Sequence, residues 1–246
     1  MNLAIFDVDG TLTSTNEVDE LCFVQAFADA HAITGVDTNW DGYRHTTDSG
    51  ITLQIFQDRF GRNAKPNELS DLQRCFVRLL KEQLVAGPRL FAAIPGSTRM
   101  LAKIRQEPEW TVAVATGCWQ VSAQLKLKAA NLTLNGFPIA SAEVGLSREE
   151  ILQAAIERAG AHYQQTSFDR VVSIGDARWD VRAARNLEIN FVGVGSGERA
   201  RLLSDAGASH VIGDYRDYDL FLKYLESSEV PKQKVHSGDE GNPAAR

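Results

Sequence analysis

Four aspartates follow apolar runs of the chain: Asp7 and Asp9 in the segment IFDVDGT, and Asp176 and Asp180 in VVSIGDARWD. If the fold brings these segments to one cleft, four like charges would repel one another and raise one another's pKa values. A bound cation would relieve that repulsion. A hard ion such as Mg²⁺ suits the task, because it is held by a few carboxylates together with water and substrate phosphate. The residue types therefore predict a Mg²⁺ site.

Each of these segments also has a simpler interpretation. Asp-Gly between runs of alternating hydrophobicity, as at Asp9, is a strong signal for a β-hairpin turn. The Thr-Gly pair at Thr116, after the run TVAVA, fits ordinary strand-to-turn chemistry. Asp176 could cap a helix, and Asp180 could be a solvated position on that helix. Taken singly, the segments leave these alternatives open.

The elements that must position these side chains are predicted from short apolar runs. LAIFDV, TVAVAT, VVSIGD and NFVGVG each indicate a buried strand, and HVIGDY is a weaker fifth candidate. Helical patterns lie between them. In SREEILQAAIERAG, Ser147 and Glu150 form a capping box at the start and Gly160 is expected to end the helix. This alternation predicts an α/β fold with a mostly parallel sheet, whose ligands bind beyond the carboxyl ends of the strands.

Residues 15–91 interrupt the alternation with helical patterns and no convincing strand. An all-helical block between the first and second strands indicates an inserted domain. We therefore predict a core made of residues 1–14 and 92–225 and a helical insertion over residues 15–91. The remaining residues, 226–246, are polar with almost nothing to pack, which predicts a disordered tail.

Composition narrows the class of protein. The chain has 246 residues, of which 43% are hydrophobic, enough for a substantial core. The net charge of −6 gives no basic footprint for a nucleic acid partner. Three scattered cysteines fit a reducing compartment and neither a disulfide framework nor a zinc site. With no signal segment visible and no apolar run long enough for a bilayer, we expect a cytoplasmic protein without a membrane partner.

Four motifs in order resemble the haloacid dehalogenase superfamily: D-x-D-G-T at residues 7–11, hydrophobic-T-G at residues 112–117, a basic residue at Arg148, and G-D-x-x-x-D at residues 175–180. The resemblance covers residues 1 to about 222, and as a set the motifs outweigh the hairpin alternative. It implies a three-layer Rossmann-like core. The insertion looks like the helical cap of phosphoglycolate phosphatase-like and phosphomutase-like members. Arg148 departs from the more usual Lys of the third motif.

The resemblance also implies residue roles. Asp7 would be the nucleophile, forming an aspartyl phosphate. Asp9 would protonate the leaving alcohol and then deprotonate the hydrolytic water. Arg148 would offset phosphoryl charge. Phosphate oxygens would be bound by Gly10, Thr116, Gly117 and Arg148, and Mg²⁺ by Asp7, the Asp9 carbonyl, Asp176 and Asp180.

The polar segment YRHTTDSGI, expected to be a loop between two cap helices, is a candidate for substrate recognition or an ordinary surface turn. Its candidate residues are Arg44, His45, Thr46, Thr47, Asp48, Ser49 and Gly50. Elsewhere, Lys126 and Lys128 are expected to be solvated helix residues, and Cys118 to be a packing residue.

These features together predict a Mg²⁺-dependent phosphatase acting on a small phosphorylated metabolite. A phosphomutase of the β-phosphoglucomutase type is the alternative enzyme, although it needs cap groups that grip a second phosphate. A phospho-accepting receiver-like signalling module is the alternative outside enzymes. A receiver uses Asp, Mg²⁺, Thr and a basic residue, but it lacks a large helical insertion.

Overall fold

Six parallel strands form one sheet in a computed structural model of the chain, which describes residues 1–233. The strands are β1 Asn2–Phe6, β2 Trp110–Ala115, β3 Ile139–Ala140, β4 Arg170–Gly175, β5 Asn190–Val194 and β6 His210–Ile212. Their order is β3-β2-β1-β4-β5-β6, and every adjacent pair is parallel. The five expected strands are present. The two-residue β3 was not predicted, because it is too short to leave a pattern.

Helices cover both faces of the sheet, and β1 shows how its side chains are divided between them. Leu3 and Ile5 pack in a buried cluster with residues of α6 (Arg148–Tyr163), whereas Ala4 and Phe6 pack on the other face. That second face is covered by α4 (Ser97–Ile104), α5 (Gln120–Ala129) and α9 (Tyr218–Ser227). Alternate side chains of a strand point to opposite faces, so a strand apolar throughout requires two helical layers. The three-layer Rossmann-like fold is confirmed.

Two further helices, α7 (Arg178–Asn186) and α8 (Gly197–Ala206), pack near β5. The expected end of α6 at Gly160 is wrong. The capping box of Ser147 and Glu150 begins this helix as predicted, but α6 continues to Tyr163 and ends at Gln164 in the left-handed conformation. The Tyr163 hydroxyl donates to the Val112 carbonyl at 2.8 Å, which anchors the extra turn to β2.

Three long helices lie between β1 and β2: α1 (Asn16–His31), α2 (Asp48–Phe60) and α3 (Pro66–Ala86). They bury a hydrophobic cluster of their own, centred on Phe23, Phe56 and Phe76. Trp119, from the turn after β2, joins this cluster, with ring centroids 5.7 Å from Phe23. The helical insertion is therefore seated directly on a turn at the edge of the sheet.

The expectation of disorder from residue 226 onward needs correction for residues 226–233. Helix α9 includes residues 226 and 227, and Ser228 is buried. The Phe191 N–H donates to the Glu229 carbonyl at 3.2 Å, and Arg185 Nε donates to the Pro231 carbonyl at 3.1 Å. These hydrogen bonds to its backbone carbonyls attach a polar segment that has little apolar surface. Residues 234–246 of the predicted tail lie outside the described residues.

Among residues 1–233, no helix combines the length and the apolar character that a membrane span requires.

Candidate active site

The candidate site lies at the point in the sheet where the strand order reverses: β2 and β3 are added on one side of β1, and β4, β5 and β6 on the other. Strand β1 is flanked by β2 on one side and by β4 on the other, which is the position where open α/β sheets bind ligands. Asp7 directly follows β1, and its N–H donates to the Ile174 carbonyl of β4 at 3.0 Å. Asp176 directly follows β4, and Gly117 lies two residues beyond β2. The structure thus brings three of the motifs together.

Asp7, Asp176 and Asp180 form one buried cluster. Each offers a carboxylate oxygen within 4.8 Å of the others, and each residue is less than a tenth exposed. Asp180 reaches the cluster from the first turn of α7, where its Oδ2 accepts the Ala177 N–H at 3.2 Å. A Cβ at Gly175 would lie 2.7 Å from the Asp180 carboxylate, so only glycine leaves room for this approach.

Burial and mutual repulsion shift the protonation of these acids. Burial, opposed by Arg148, raises the pKa of Asp7 well above its usual range. Burial and then the Asp180 charge raise the pKa of Asp176 to about 7. Burial also raises the pKa of Asp180. Desolvation disfavours a charged carboxylate, so the cluster is electrostatically favourable only with more positive charge nearby.

Two arginines supply part of that charge. Arg148 Nη1 lies 3.3 Å from Asp7 Oδ1 and 3.4 Å from Asp180 Oδ1, and Arg199 Nη1 lies 2.8 Å from Asp176 Oδ2. A Cβ at Gly117 would lie 2.6 Å from the Arg148 guanidinium carbon, so glycine allows the guanidinium to cross the turn. The expected third-motif residue is thus placed against the expected nucleophile.

The donor set fits Mg²⁺. Three buried carboxylates in reach of one point match the oxygen-only preference of that ion. A Cβ at Gly10, which has a φ of +70°, would lie 1.9 Å from Asp176 Oδ2. Only glycine at this position therefore leaves room for the Asp176 carboxylate beside the loop after β1. Asn16 Nδ2 donates to Asp176 Oδ2 at 2.9 Å, and Asn16 Oδ1 is buried without a hydrogen-bond partner among the described residues.

Asp9 belongs to a second charge cluster. Its Oδ2 accepts from Lys126 Nζ at 2.6 Å and from Cys118 Sγ at 2.8 Å, and its Oδ1 accepts from the Thr15 hydroxyl. Lys126 Nζ also lies 2.6 Å from Asp19 Oδ1. Burial alone would raise the pKa of Asp9, but the Lys126 charge and these donors lower it.

The prediction that Lys126 is solvated is therefore wrong, since its side chain is fully buried. Lys128, two residues on, is exposed as expected. The sequence did contain a signal for the difference. The buried face of α5 carries Ser122, Ala123, Lys126 and Leu127, so Lys126 falls among the core positions of the helix.

The hydroxyl of Thr116 is buried and accepts the Cys118 N–H at 3.2 Å, which shapes the turn after β2. Gly117 lines the cavity described below. Cys118 packs in the core, and burial followed by the Asp9 charge raises its pKa well above the usual value.

The expected cap loop is shorter than predicted, because Asp48, Ser49 and Gly50 form the first turn of α2. Thr47 caps this helix: its hydroxyl accepts the Gly50 N–H at 3.0 Å and donates to the Leu146 carbonyl at 2.7 Å. The Asp48 N–H donates to the Gly117 carbonyl at 2.8 Å, and Asp48 Oδ2 accepts the Trp119 N–H at 2.8 Å. Residues 46–50 are thus docked on the turn after β2.

A cavity of about 370 Å³ opens above both charge clusters. Thr46 and Asp48 are the members of the expected cap-loop set that line it; Arg44 is exposed, and neither Arg44 nor His45 contributes to the lining. Arg148 Nε donates to the Thr46 carbonyl at 3.1 Å, which ties this wall to the acid cluster. Lining residues not found from the sequence include Asn16, Glu17, Asp19, Glu20, Phe23, Trp40, Ile51, Trp179 and Arg199.

Comparisons with known proteins identify the family and similar folds. The family model for haloacid dehalogenase-like hydrolases matches residues 4–194. No curated protein matches the chain. A solved structure of a hydrolase from Pseudomonas syringae is similar, with a TM-score of 0.70 and 23% identity over 92% of this chain and 99% of that one.

Two further solved structures resemble this fold. A predicted phosphoglycolate phosphatase from Haemophilus somnus has a TM-score of 0.61 and 15% identity, over 89% of this chain and 97% of that chain. CbbY from Rhodobacter sphaeroides, in complex with phosphate, has a TM-score of 0.60 and 18% identity, over 87% and 95%.

Proposed function

Because this chain belongs to the haloacid dehalogenase-like hydrolase family, we propose that it is a Mg²⁺-dependent phosphatase that hydrolyses a small phosphorylated metabolite. The reaction proceeds through an aspartyl phosphate on Asp7. The observation that carries this proposal is the placement of Asp7, which meets the Arg148 guanidinium at 3.3 Å within a cluster of buried carboxylates. The proposed nucleophile, the proposed phosphate-binding cation and the candidate metal site thus lie in direct contact.

In the first step, an Asp7 carboxylate oxygen attacks phosphorus, and the bond between phosphorus and the alcohol oxygen breaks. Asp9 gives its proton to the departing alkoxide. Arg148 offsets negative charge on the transferring group, since its planar guanidinium matches phosphate oxygens. The Gly117 N–H and the Thr116 hydroxyl, both from the turn after β2, would bind the remaining phosphate oxygens.

In the second step, water attacks phosphorus and releases Asp7, and the water proton passes to Asp9. The sum of both steps is hydrolysis to the alcohol and inorganic phosphate. Asp7, the Asp9 carbonyl, Asp176 and Asp180 would hold Mg²⁺, which when bound neutralises charge on the phosphoryl group. Most of this chemistry is positioning and electrostatics, as is typical of phosphoryl transfer.

The charge of the cavity favours a phosphatase over a phosphomutase. A phosphomutase needs cations on the cap side to grip a second phosphate. Among the described lining residues, the cations are Arg148 and Arg199, which come from the sheet domain and are already paired with acids. The insertion contributes acids instead: Glu17, Asp19, Glu20 and Asp48. A second phosphate would meet repulsion there.

The proposal is tested with p-nitrophenyl phosphate and a panel of phosphorylated metabolites, with and without Mg²⁺. We expect steady multiple turnover that EDTA abolishes and Mg²⁺ restores. Asp7→Asn nearly preserves volume but removes the nucleophile, so turnover should vanish while circular dichroism stays unchanged. Asp58→Asn, at an exposed position of α2, is the matched control.

A single stoichiometric release of p-nitrophenol would indicate a phospho-acceptor such as a receiver module. An Asp7→Asn variant with more than a few per cent of the wild-type rate would contradict the assignment of the nucleophile.

A further inference from the structure

Lys126 is a fully buried cation that the mechanism above does not use. It lies on α5, and its Nζ is 2.6 Å from Asp9 Oδ2, 2.6 Å from Asp19 Oδ1 and 3.0 Å from Cys118 Sγ. Removing an ammonium from water is strongly unfavourable unless it is paired and hydrogen-bonded. Here the Asp19 and Asp9 charges outweigh the effect of burial and raise the pKa of Lys126 well above its usual value.

The partners of Lys126 distinguish it from an ordinary structural ion pair. Asp9 is the acid–base residue of the proposed reaction, and its side chain remains 16% exposed and lines the cavity. Asp19 lies on α1, the first helix of the insertion. The Lys126 ammonium therefore connects the loop after β1, through Asp9, to the helical insertion, through Asp19.

The hydrogen bonds of Asp9 show what this arrangement does to its carboxylate. A carboxylate has about four acceptor positions, two on each oxygen. Lys126 and Cys118 use both positions of Oδ2, and the Thr15 hydroxyl uses one position of Oδ1. One acceptor position of Oδ1 is then left for a proton that is exchanged with a ligand in the cavity.

We propose that Lys126 is a positioning residue for proton transfer: by holding Asp9 Oδ2, it presents the free position of Asp9 Oδ1 to the leaving-group oxygen. The inference rests on the proposed function, in which Asp9 does the acid–base work. The inference adds that proton transfer by Asp9 depends on Lys126 of α5, which also pairs with Asp19 of the helical insertion. Proton transfer is sensitive to such positioning, because a misplacement of about 1 Å can cost about a hundredfold in rate.

The test compares two substrates, the alkyl phosphate that is turned over fastest in the metabolite panel and p-nitrophenyl phosphate. The alkoxide needs a proton to leave, whereas p-nitrophenolate leaves without one. The kcat/KM for the alkyl phosphate divided by the kcat/KM for p-nitrophenyl phosphate therefore measures acid assistance. We expect Lys126→Met to lower this ratio about tenfold to a hundredfold. Lys128→Met, at the exposed position on the same helix, should leave it unchanged.

Lys126→Met leaves Asp9 and Asp19 without their cation and could unfold the protein. The double variant Lys126→Met/Asp19→Asn removes one charge of each sign, and it should show the same fall in the ratio with a native circular dichroism spectrum. A folded variant with the wild-type ratio, or with equal loss for both substrates, would overturn the inference.

Asp9→Asn is measured in parallel to separate the two proposals. If it leaves the ratio unchanged, the acid–base role of Asp9 is wrong and the positioning role of Lys126 fails with it, whereas the phosphatase activity is tested separately by turnover. If it lowers the ratio while the Lys126 variants do not, the positioning role of Lys126 alone is wrong.

Discussion

Asp7 and Asp9 are two residues apart, yet they belong to two charge clusters of opposite character. The Asp7 cluster has three carboxylates, and burial raises the pKa of each despite Arg148 beside Asp7 and Asp180 and Arg199 beside Asp176. The cluster around Asp9 contains its own buried cation, Lys126, which lowers the pKa of Asp9. Lys126 also contacts Asp19, but there burial outweighs its charge and raises the pKa of Asp19 to about 6.

The two cations reach the central strand from opposite faces of the sheet. Arg148 begins α6, which packs against Leu3 and Ile5, whereas Lys126 lies on α5, which packs on the face of Ala4 and Phe6. Asp7 and Asp9 thus lie in different electrostatic environments, because a helix on one face of the sheet supplies the cation beside Asp7 and a helix on the other face supplies the cation beside Asp9.

After the loss of turnover expected for Asp7→Asn, the largest effect in this comparison is expected for Asp9→Asn. General acid–base catalysis contributes about 10²- to 10⁴-fold, so hydrolysis of alkyl phosphates should fall by a factor in that range. With p-nitrophenyl phosphate the first step should suffer less, because p-nitrophenolate leaves unaided. Dephosphorylation still needs the base. Rapid-mixing kinetics should therefore show one burst of p-nitrophenol followed by a stalled aspartyl phosphate.

Acid-quench trapping of the phosphorylated chain provides the second measurement for this variant. Equal losses in both steps with both substrates would contradict the division of labour between the two clusters.

Arg148 gives the next largest effect, because it is a protein cation of the Asp7 cluster. A hydrogen bond to a charged group contributes roughly 1.5–3 kcal/mol, so Arg148→Ala should lower kcat/KM about tenfold to a hundredfold or more. Arg148→Lys should recover part of the loss by restoring charge without the planar fork. Arg201→Ala, an exposed arginine of α8, is the control. Wild-type kinetics in Arg148→Ala would place the phosphate-binding cation elsewhere.

The sequence predicted the fold and the acid cluster for the same physical reason. Strands that are apolar throughout require a layer of helices on each face, and parallel strands bring the residues after their carboxyl ends to one edge. Asp7, Asp176 and Gly117 could therefore be placed together from their positions after apolar runs. The ends of elements were less predictable, as α6 shows by continuing past Gly160 through a hydrogen bond of Tyr163 to β2.

The second cluster was not predicted, because Asp9 is its only member that belongs to a motif, and Lys126 and Cys118 lie more than a hundred residues from Asp9 in the sequence. Lys126 was interpreted as solvated from its charge, although its helical position among core residues indicated burial. Asp19 meets it only because the insertion folds back over the turn after β2. Likewise, Arg199 lies on a helix that its own sequence gives no reason to connect with Asp176. Contacts between residues far apart in the sequence determine the positions of these charged side chains, and a local sequence pattern does not contain that information.

The smallest expected effect is on stability, and it follows from the raised pKa values in the Asp7 cluster. An unfolded aspartate has a pKa of about 3.8, whereas that of Asp176 is about 7 in the folded protein. Between these values the folded state binds more protons than the unfolded state, so stability falls as pH rises. In EDTA, the melting temperature should therefore fall by a few degrees between pH 5 and pH 8. Asp19 acts with the same sign, whereas Asp9, whose pKa is lowered, changes stability below about pH 4, outside this range.

Asp176→Asn isolates the contribution of the first cluster, because it removes one titrating group and leaves Asp19 in place. Differential scanning calorimetry should show a weaker pH dependence for this variant than for the wild type. Mg²⁺ binds the deprotonated carboxylates, so it should raise the wild-type melting temperature more at pH 8 than at pH 5. A melting temperature that is flat or rises between pH 5 and pH 8 in EDTA would mean that the Asp7 cluster is already neutralised without a metal, and the contrast with the Lys126 cluster would disappear.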